Sequence, residues 1–172
     1  RMTPNRSPAI ARRKLLALAS ASALPTVVTA SAATTIQWPE QTRLLDGSVQ
    51  SPKDWQGKPL LLVFWATYCP FCQRHNANLQ QLLNEWPEAP RVLGVAQDKE
   101  AAKVQQYMSR HGYRFDVTLD YAAWQTAASV RKAIPTTVPI DRQGRIGQVV
   151  PGEMFPEDLL QLARWAKGAA AG

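Results

Sequence analysis

The feature that most restricts how this chain can fold is an apolar run that ends just before two cysteines. The run, PLLLVFWA at 59–66, suits a buried strand. Cys69 and Cys72 follow it, and they are the only cysteines among the 172 residues. The segment Gln73 to Trp86 then has helical spacing. The sequence therefore predicts a strand, a turn that carries both cysteines, and a helix in direct succession.

Two thiols at a strand-to-helix turn are suited to disulfide exchange. The N–H groups and the dipole at a helix N-terminus stabilise a thiolate, which is the attacking species. We therefore expect Cys69 to be the nucleophile. Pro70 fits the first helical position, where a missing N–H costs nothing. Cys72, one turn further along the same helix face, can act as the resolving thiol that closes the disulfide and releases a bound partner.

A purely structural disulfide and a zinc site are the alternatives for this cysteine pair. A bridge across so short a loop adds little stability. A structural zinc site needs four ligands, whereas the chain has no second cysteine pair, and its two histidines, His75 and His111, lack finger-like spacing. The pattern favours a redox-active disulfide that needs no metal and no other cofactor.

The positive charge of the chain belongs to its first segment. The chain has 20 basic and 13 acidic residues, a formal net charge of +7. Five of the basic residues and none of the acidic ones fall within 1–32, so the remainder carries 15 basic residues against 13 acidic ones. Nothing in that remainder favours nucleic acid as a partner.

Residues 1–32 have the three parts of a signal peptide. A basic segment ends at Lys14, an apolar segment runs from Leu15 to about Val28, and Ala30 and Ala32 match an A-x-A cleavage site. We expect export and cleavage after Ala32. An uncleaved membrane anchor is the alternative, although the apolar segment is short and contains Pro25. The expected organisation is a signal peptide at 1–32, one domain at 33–166 and a flexible tail at 167–172.

The rest of the chain alternates strand and helix patterns, which is typical of an α/β protein with a parallel arrangement and crossovers. A hairpin with an Asp46-Gly47 turn precedes the apolar run, and Lys53 to Lys58 is interpreted as a polar connection. The later predicted elements are a strand at 91–96, a helix at about 99–111, a short strand at 115–119, a helix at 121–132, a hairpin of 136–140 with 146–150, and a helix at 156–166.

Several ordered motifs resemble one known family. They are FWATYCPFC at 64–72, LDG at 45–47, WQGKP at 55–59, IPTT at 134–137 and PIDRQGRI at 139–146. Together they are similar to the exported thioredoxin-fold thiol-disulfide oxidoreductases of the TlpA/ResA/CcmG-like family, over roughly 44–166. The resemblance implies a thioredoxin fold, with a central mixed sheet flanked by helices and an N-terminal β-hairpin extension.

The resemblance also implies a substrate-binding loop opposite the cysteines. In the family, the proline that corresponds to Pro135 follows a cis peptide bond, and the backbone before it pairs with the substrate chain. Ile134 and Pro135 are therefore expected to contact substrate, together with Tyr68, Pro70 and Phe71 of the cysteine turn. The alternative for Pro135 is the start of an edge strand.

The chain departs from the family pattern where acids are expected. Thioredoxin has a buried acid in the central strand at the place of Val63. Some exported members have a glutamate at the place of His75, three residues after Cys72. His75 is thus a candidate proton shuttle, with an ordinary surface histidine as the alternative. Tyr68 stands where the family often has tryptophan.

The expected function is a disulfide reductase for exported protein substrates in the periplasm. The resemblance implies re-reduction by a membrane donor of the DsbD or CcdA type and a place in cytochrome c maturation, and we expect a monomer. A disulfide oxidase or isomerase stays open. So does a copper-binding metallochaperone that uses Cys69, Cys72 and a histidine. A peroxidase is disfavoured because no proline precedes Thr67 at the spacing that a peroxidatic site needs.

Overall fold

The apolar run before the cysteines forms the central strand of a five-stranded sheet. The computed structural model describes residues 34–168. In chain order the elements are β1 (Thr42–Arg43), β2 (Val49–Gln50), α1 (Pro52–Trp55), β3 (Leu60–Trp65), α2 (Pro70–Glu85), β4 (Arg91–Ala96), α3 (Ala101–His111), β5 (Asp116–Thr118), α4 (Tyr121–Ala127), β6 (Thr136–Ile140), β7 (Val150–Pro151) and α5 (Pro156–Lys167).

The sheet is mixed, as the family resemblance implies. Its strand order is β5-β4-β3-β6-β7. Strands β3, β4 and β5 are parallel, whereas β6 runs antiparallel to β3 and β7 antiparallel to β6. A parallel strand pair needs a crossover connection, and α2 and α3 supply the two crossovers.

Every residue of β3 is buried, because helices cover both faces of the sheet. Leu61, Val63 and Trp65 belong to a core that includes buried residues of α2, α3 and α5. The alternate side chains of β3 point into a second core, which includes Trp55 of α1 and Trp124 of α4. A strand that is buried on both faces reads as a continuous apolar run, which explains why this element was the clearest one in the sequence.

The N-terminal hairpin is confirmed, and its strands are short. Thr42 pairs with Gln50 in an antiparallel register. At the turn, the Asp46 carboxylate accepts hydrogen bonds from the Ser48 N–H and hydroxyl, and Gly47 adopts φ +89°. The Asp-Gly pair therefore forms the turn that its chemistry predicts.

The interpretation of 53–58 as a connection without secondary structure is wrong at its start, because α1 is a helix. Ser51 and Asp54 form a capping box in which the Asp54 carboxylate accepts the Ser51 N–H at 2.7 Å, and Pro52 opens the helix. Trp55 anchors the helix in the core with 2% of its surface exposed. The Ser-x-x-Asp spacing was the signal for this helix in the sequence.

Helix α4 and the closing hairpin are much shorter than predicted, whereas α3 and β5 differ from their predicted ends by only one or two residues. Helix α4 ends at Ala127, and Ser129 adopts φ 51°, a left-handed conformation that stops a helix. In the closing hairpin, Ile146 makes a single bridge to Ile140, and pairing resumes only at Val150 and Pro151. The ladder is interrupted beside Pro139 of β6, which accepts a hydrogen bond but has no N–H to donate.

The predicted signal peptide at 1–32 lies outside the described residues, as do residue 33 and residues 169–172 of the predicted tail. Helix α5 includes Lys167, one residue more than expected, and Gly168 ends it with φ 81°. Between residues 34 and 168, no helix is both long and apolar enough to cross a membrane.

The close approach of Trp65 to Gly94 on β4 leads to a stability prediction. A Cβ atom on Gly94 would lie 2.7 Å from Trp65 Nε1 and 3.0 Å from Phe115 Cε2, and both of these are ring atoms within the core. We expect Gly94→Ala to lower the free energy of unfolding by about 1–3 kcal/mol, the usual cost of overpacking, in urea denaturation.

Trp65→Phe removes the nearest atom, so the double variant should lose less stability than the sum of the two single variants. Strictly additive losses would show that Trp65 is not what crowds this position.

Candidate active site

The cysteine pair lies where β3 ends and α2 begins. Cys69 is the N-cap residue of α2 and Pro70 its first helical residue, as predicted. The two cysteines form a disulfide with Cα atoms 5.2 Å apart, and the Cys72 N–H donates to Cys69 Sγ at 3.2 Å. Cys72 is completely buried, whereas Cys69 is partly exposed. Of the two cysteines, Cys69 is therefore the one that a partner molecule can approach.

The end of β4 holds the turn before the cysteines in place. Asp98 accepts two hydrogen bonds from Thr67, from the N–H at 2.9 Å and from the hydroxyl at 2.5 Å. The Tyr68 hydroxyl donates to Gln97 Oε1 at 3.0 Å. The sequence places Asp98 at the end of a strand, where it could lie near the cysteines, but its interpretation as a helix cap left it out of the predicted site. Parallel strands end at the same edge of a sheet, and Asp98 follows a strand parallel to β3, so the position after the strand was the correct signal.

The loop before β6 has the geometry that the family resemblance implies. The Ile134–Pro135 peptide bond is cis. Pro135 is buried, and its carbonyl accepts the Gly152 N–H at 2.7 Å. Within residues 34–168, the N–H and the carbonyl of Ile134 make no hydrogen bond. The backbone of Ile134 is therefore free to pair with another chain.

Exposed aromatic side chains surround the cysteine turn. Tyr68, Phe71 and Phe155 have 62%, 58% and 69% of their surfaces exposed. Beside the turn lies an open groove of about 740 Å³, lined by Phe71, Arg74, Ile134, Pro135, Gly152, Glu153 and Phe155. The groove brings together three of the predicted substrate-contacting residues, whereas Tyr68 and Pro70 lie on the exposed turn outside it. The sequence interpretation missed Arg74, Glu153 and Phe155.

An ion pair joins α2 to the segment that follows β7. Arg74 Nε and Nη2 donate to the Glu153 carboxylate at 2.6 to 2.9 Å. These hydrogen bonds hold the pKa of Glu153 below its usual range. The Arg74 guanidinium also lies 4.9 Å from the centre of the Phe71 ring. The cation nearest to the groove is thus already paired with an anion.

His75 is fully buried, so the alternative of an ordinary surface histidine is wrong. Its Nδ1 accepts the Met154 N–H at 3.1 Å, which places the ring proton on Nε2, and Nε2 then donates to Thr137 Oγ1 at 3.0 Å. Burial lowers the pKa of His75 to about 4, so the ring is neutral at pH 7. Both ring nitrogens are occupied, which leaves neither of them free to act as the proton shuttle for Cys72.

Val63 stands at the place of the missing acid in the central strand. Val63 is fully buried, pairs with Gly94 and Thr137, and shares a core with Cys72. Within residues 34–168, no group of three or more histidine, cysteine, aspartate or glutamate side chains is arranged to hold a metal ion.

The buried, neutral His75 should make folding less favourable as the pH falls. Its pKa is about 4 in the folded protein against 6.5 for an ordinary histidine, so the unfolded chain binds more protons between these values. The stability that depends on neutral His75 is therefore fully present above about pH 6.5. It decreases as the pH falls, and its loss is complete below about pH 4. Between pH 7 and pH 4, the free energy of unfolding should therefore fall by about 2–4 kcal/mol less in His75→Gln than in the wild type, measured by urea unfolding.

His111→Gln is the matched control, because it removes the other histidine and leaves His75 in place. Because His75 remains, the loss of stability that His75 causes between pH 7 and pH 4 should persist in this variant. If His75→Gln loses as much stability between these pH values as the wild type, the buried histidine does not cause the loss.

Comparison with known proteins agrees with this geometry. The Redoxin family matches residues 19–160. The thiol-disulfide oxidoreductase ResA of Halalkalibacterium halodurans is 28% identical over 124 residues, which cover 70% of this chain and 70% of that protein.

Two solved structures have the same fold. A thiol:disulfide interchange protein of the thioredoxin family from Chlorobium tepidum matches with a TM-score of 0.70 and 24% identity, over 80% of this chain and 99% of that one. A secreted thiol-disulfide isomerase from Corynebacterium glutamicum matches with a TM-score of 0.63 and 27% identity, over 74% and 83%. The predicted thioredoxin fold is confirmed. The chain belongs to the Redoxin family and is a thiol-disulfide oxidoreductase of the ResA and thioredoxin type.

Proposed function

We propose that this oxidoreductase reduces disulfides in exported proteins. The observation that carries the proposal is that Phe71 of the cysteine turn lines one groove with Ile134 and Pro135. Cys69 of the same turn is partly exposed, and the backbone of Ile134 has no partner within the described residues. An extended substrate segment can pair with that backbone while its disulfide meets Cys69. The exposed rings of Phe71 and Phe155 offer apolar surface to the residues that flank the substrate cysteine.

The reaction proceeds in two exchanges. The Cys69 thiolate attacks one sulfur of the substrate disulfide, a mixed disulfide forms, and the other substrate sulfur leaves as a thiolate. The Cys72 thiolate then attacks Cys69 Sγ, which closes the Cys69–Cys72 disulfide and releases the second substrate thiolate. Two electrons pass from the enzyme to the substrate, so a further dithiol has to reduce the enzyme again.

The residues around Cys69 support the reducing direction. Strong oxidants owe their potential to a reduced form that is greatly stabilised. Here, the residues between the cysteines are Pro70 and Phe71, which offer neither a cation nor a histidine. Arg74 is the nearby cation, and Glu153 neutralises it. Cys69 Sγ accepts one backbone hydrogen bond, from Cys72.

The cellular setting of the proposal rests on the sequence and on the relatives. Residues 1–32 have the pattern of a signal peptide, and the Corynebacterium glutamicum relative is described as secreted. We place the protein in the periplasm as a monomer, where a membrane donor of the DsbD or CcdA type would keep it reduced. Cytochrome c maturation is the process proposed for its substrates.

The copper-binding alternative finds less support. It needs a histidine beside the two cysteines, and both nitrogens of His75 are bound elsewhere. An oxidase or isomerase would use the same two cysteines and differ in its potential, so the direction of electron flow separates it from a reductase.

Trapping of the mixed disulfide tests the exchange scheme. Cys72→Ser should accumulate a covalent complex with a disulfide-containing protein, visible on non-reducing gels, because no resolving thiol remains. Cys69→Ser is the matched control and should trap nothing, since the buried Cys72 cannot meet a substrate. In the Cys72→Ser background, Phe155→Ala should slow trapping several-fold if the groove binds the substrate. Equal trapping by Cys69→Ser would reverse the assigned roles.

The reduction potential of the cysteine pair tests the direction. We expect a value near that of thioredoxin, about −270 mV, in equilibrium with a glutathione or dithiothreitol buffer. A value near −120 mV would identify an oxidase instead. Titration of the reduced protein with Cu(I) completes the comparison, and tight binding of one ion per protein would favour the metallochaperone.

A further inference from the structure

Asn76 is a buried polar side chain whose amide is unpaired while the disulfide is closed. It lies on α2 with none of its surface exposed. Neither Nδ2 nor Oδ1 has a hydrogen-bond partner among residues 34–168. An amide left in this way destabilises the folded protein, and native proteins keep few such groups. The unpaired amide thus destabilises the oxidised protein, and a state in which the amide has a hydrogen-bond partner would be free of this cost.

Asn76 lies one helical turn after Cys72 on α2, and both residues are buried. Residues four apart on a helix lie on one face, with Cβ atoms about 5–6 Å apart, and helical side chains lean toward the N-terminus. The Asn76 side chain therefore leans over the turn that carries Cys72, which is also completely buried.

Reduction changes what the sulfur of Cys72 can offer to this amide. In the disulfide, the sulfur carries neither a proton nor a charge, and it makes no hydrogen bond to Asn76. When the bond opens, Cys72 becomes a thiol or a thiolate, and a thiolate is a strong acceptor for an N–H donor. A buried thiolate without such a donor would be disfavoured by desolvation.

Other polar groups in this region are already engaged or absent. Val63 is apolar, and both ring nitrogens of His75 are bound to Thr137 and Met154. Asp98 binds Thr67. Trp65 Nε1 is also unpaired among the described residues, but it lies against Gly94 on β4. Asn76 therefore has the free hydrogen-bonding capacity closest to Cys72 along the helix.

We propose that the Asn76 amide is the hydrogen-bond partner of reduced Cys72, and that it donates Nδ2–H to the thiolate that resolves the mixed disulfide. The proposal rests on the exchange function proposed above. Asn76 keeps its own protons; the proton of Cys72 goes to water or to the departing substrate thiolate. Because the amide gains a partner only after reduction, it stabilises the reduced form relative to the disulfide form.

The reduction potential of Asn76→Leu tests this assignment. Leucine has nearly the shape of asparagine and no polar atoms. We expect the equilibrium constant for reduction to fall about tenfold, which lowers the potential by about 30 mV. Asn76→Ala provides a second variant, with the same expected direction, in case the leucine variant does not fold.

Gln80→Leu is the matched control on the same helix. Gln80 is also a buried amide, but its oxygen accepts the Arg114 N–H at 2.7 Å and its nitrogen donates to Asn84 at 3.0 Å, away from the cysteines. Its loss should destabilise both redox states alike and leave the potential unchanged. A purely structural role for Asn76 predicts the same result for Asn76→Leu, and that result would overturn the proposal.

The pKa of Cys72 gives a second measurement. In a Cys69→Ser background, the absorbance of the thiolate at 240 nm reports Cys72 alone. Asn76→Leu should raise the pKa of Cys72 by about one unit, a tenfold smaller thiolate fraction at a given pH below both values. An unchanged pKa together with an unchanged potential would refute the role of Asn76. If the wild-type cysteines did not equilibrate with glutathione at all, the exchange function itself would fail.

Discussion

The complete burial of β3 is the constraint on which the rest of the structure depends. A strand with apolar side chains on both faces needs helices above and below it and a neighbouring strand on each edge. Its two neighbours run in opposite directions, β4 parallel and β6 antiparallel. The end of β4 and the beginning of β6 therefore lie together beside the end of β3. This topology places Asp98 and Pro135 on either side of the cysteine turn, although they are far apart in the sequence.

The polar groups around the cysteines fall into two kinds. Those with complete sets of partners fix the geometry: Asp98 holds the turn, and His75 joins α2 to β6 and to the segment after β7. Two groups have no partner in the described part of the oxidised protein: the Ile134 backbone and the Asn76 amide. We propose that both form hydrogen bonds during the reaction, Ile134 with the substrate and Asn76 with reduced Cys72. The hydrogen-bonded groups thus hold the elements around the cysteines in place, whereas the unpaired groups gain their partners when a substrate binds or when Cys72 is reduced.

The parts of the molecule that were predictable from the sequence depend on local chemistry. A doubly buried strand, a proline at a helix start and an Asp-Gly turn each follow from a few neighbouring residues, and the cis bond before Pro135 followed from the family motif. The contacts that sequence reasoning missed join distant positions. Arg74 and Glu153 are separated by 79 positions, and the partners of buried His75 are Thr137 and Met154, which are 62 and 79 positions away. Helical spacing cannot show which segment will cover a face.

The difference in burial between the two cysteines fixes the order in which they react. Every partner, whether it brings electrons or takes them, has to meet Cys69 first, because Cys72 is completely buried behind it. Cys72 reacts second, and the bond that it can attack is the mixed disulfide that Cys69 has formed. Because one sulfur atom forms one disulfide at a time, Cys69 can hold only a single covalent partner at any moment.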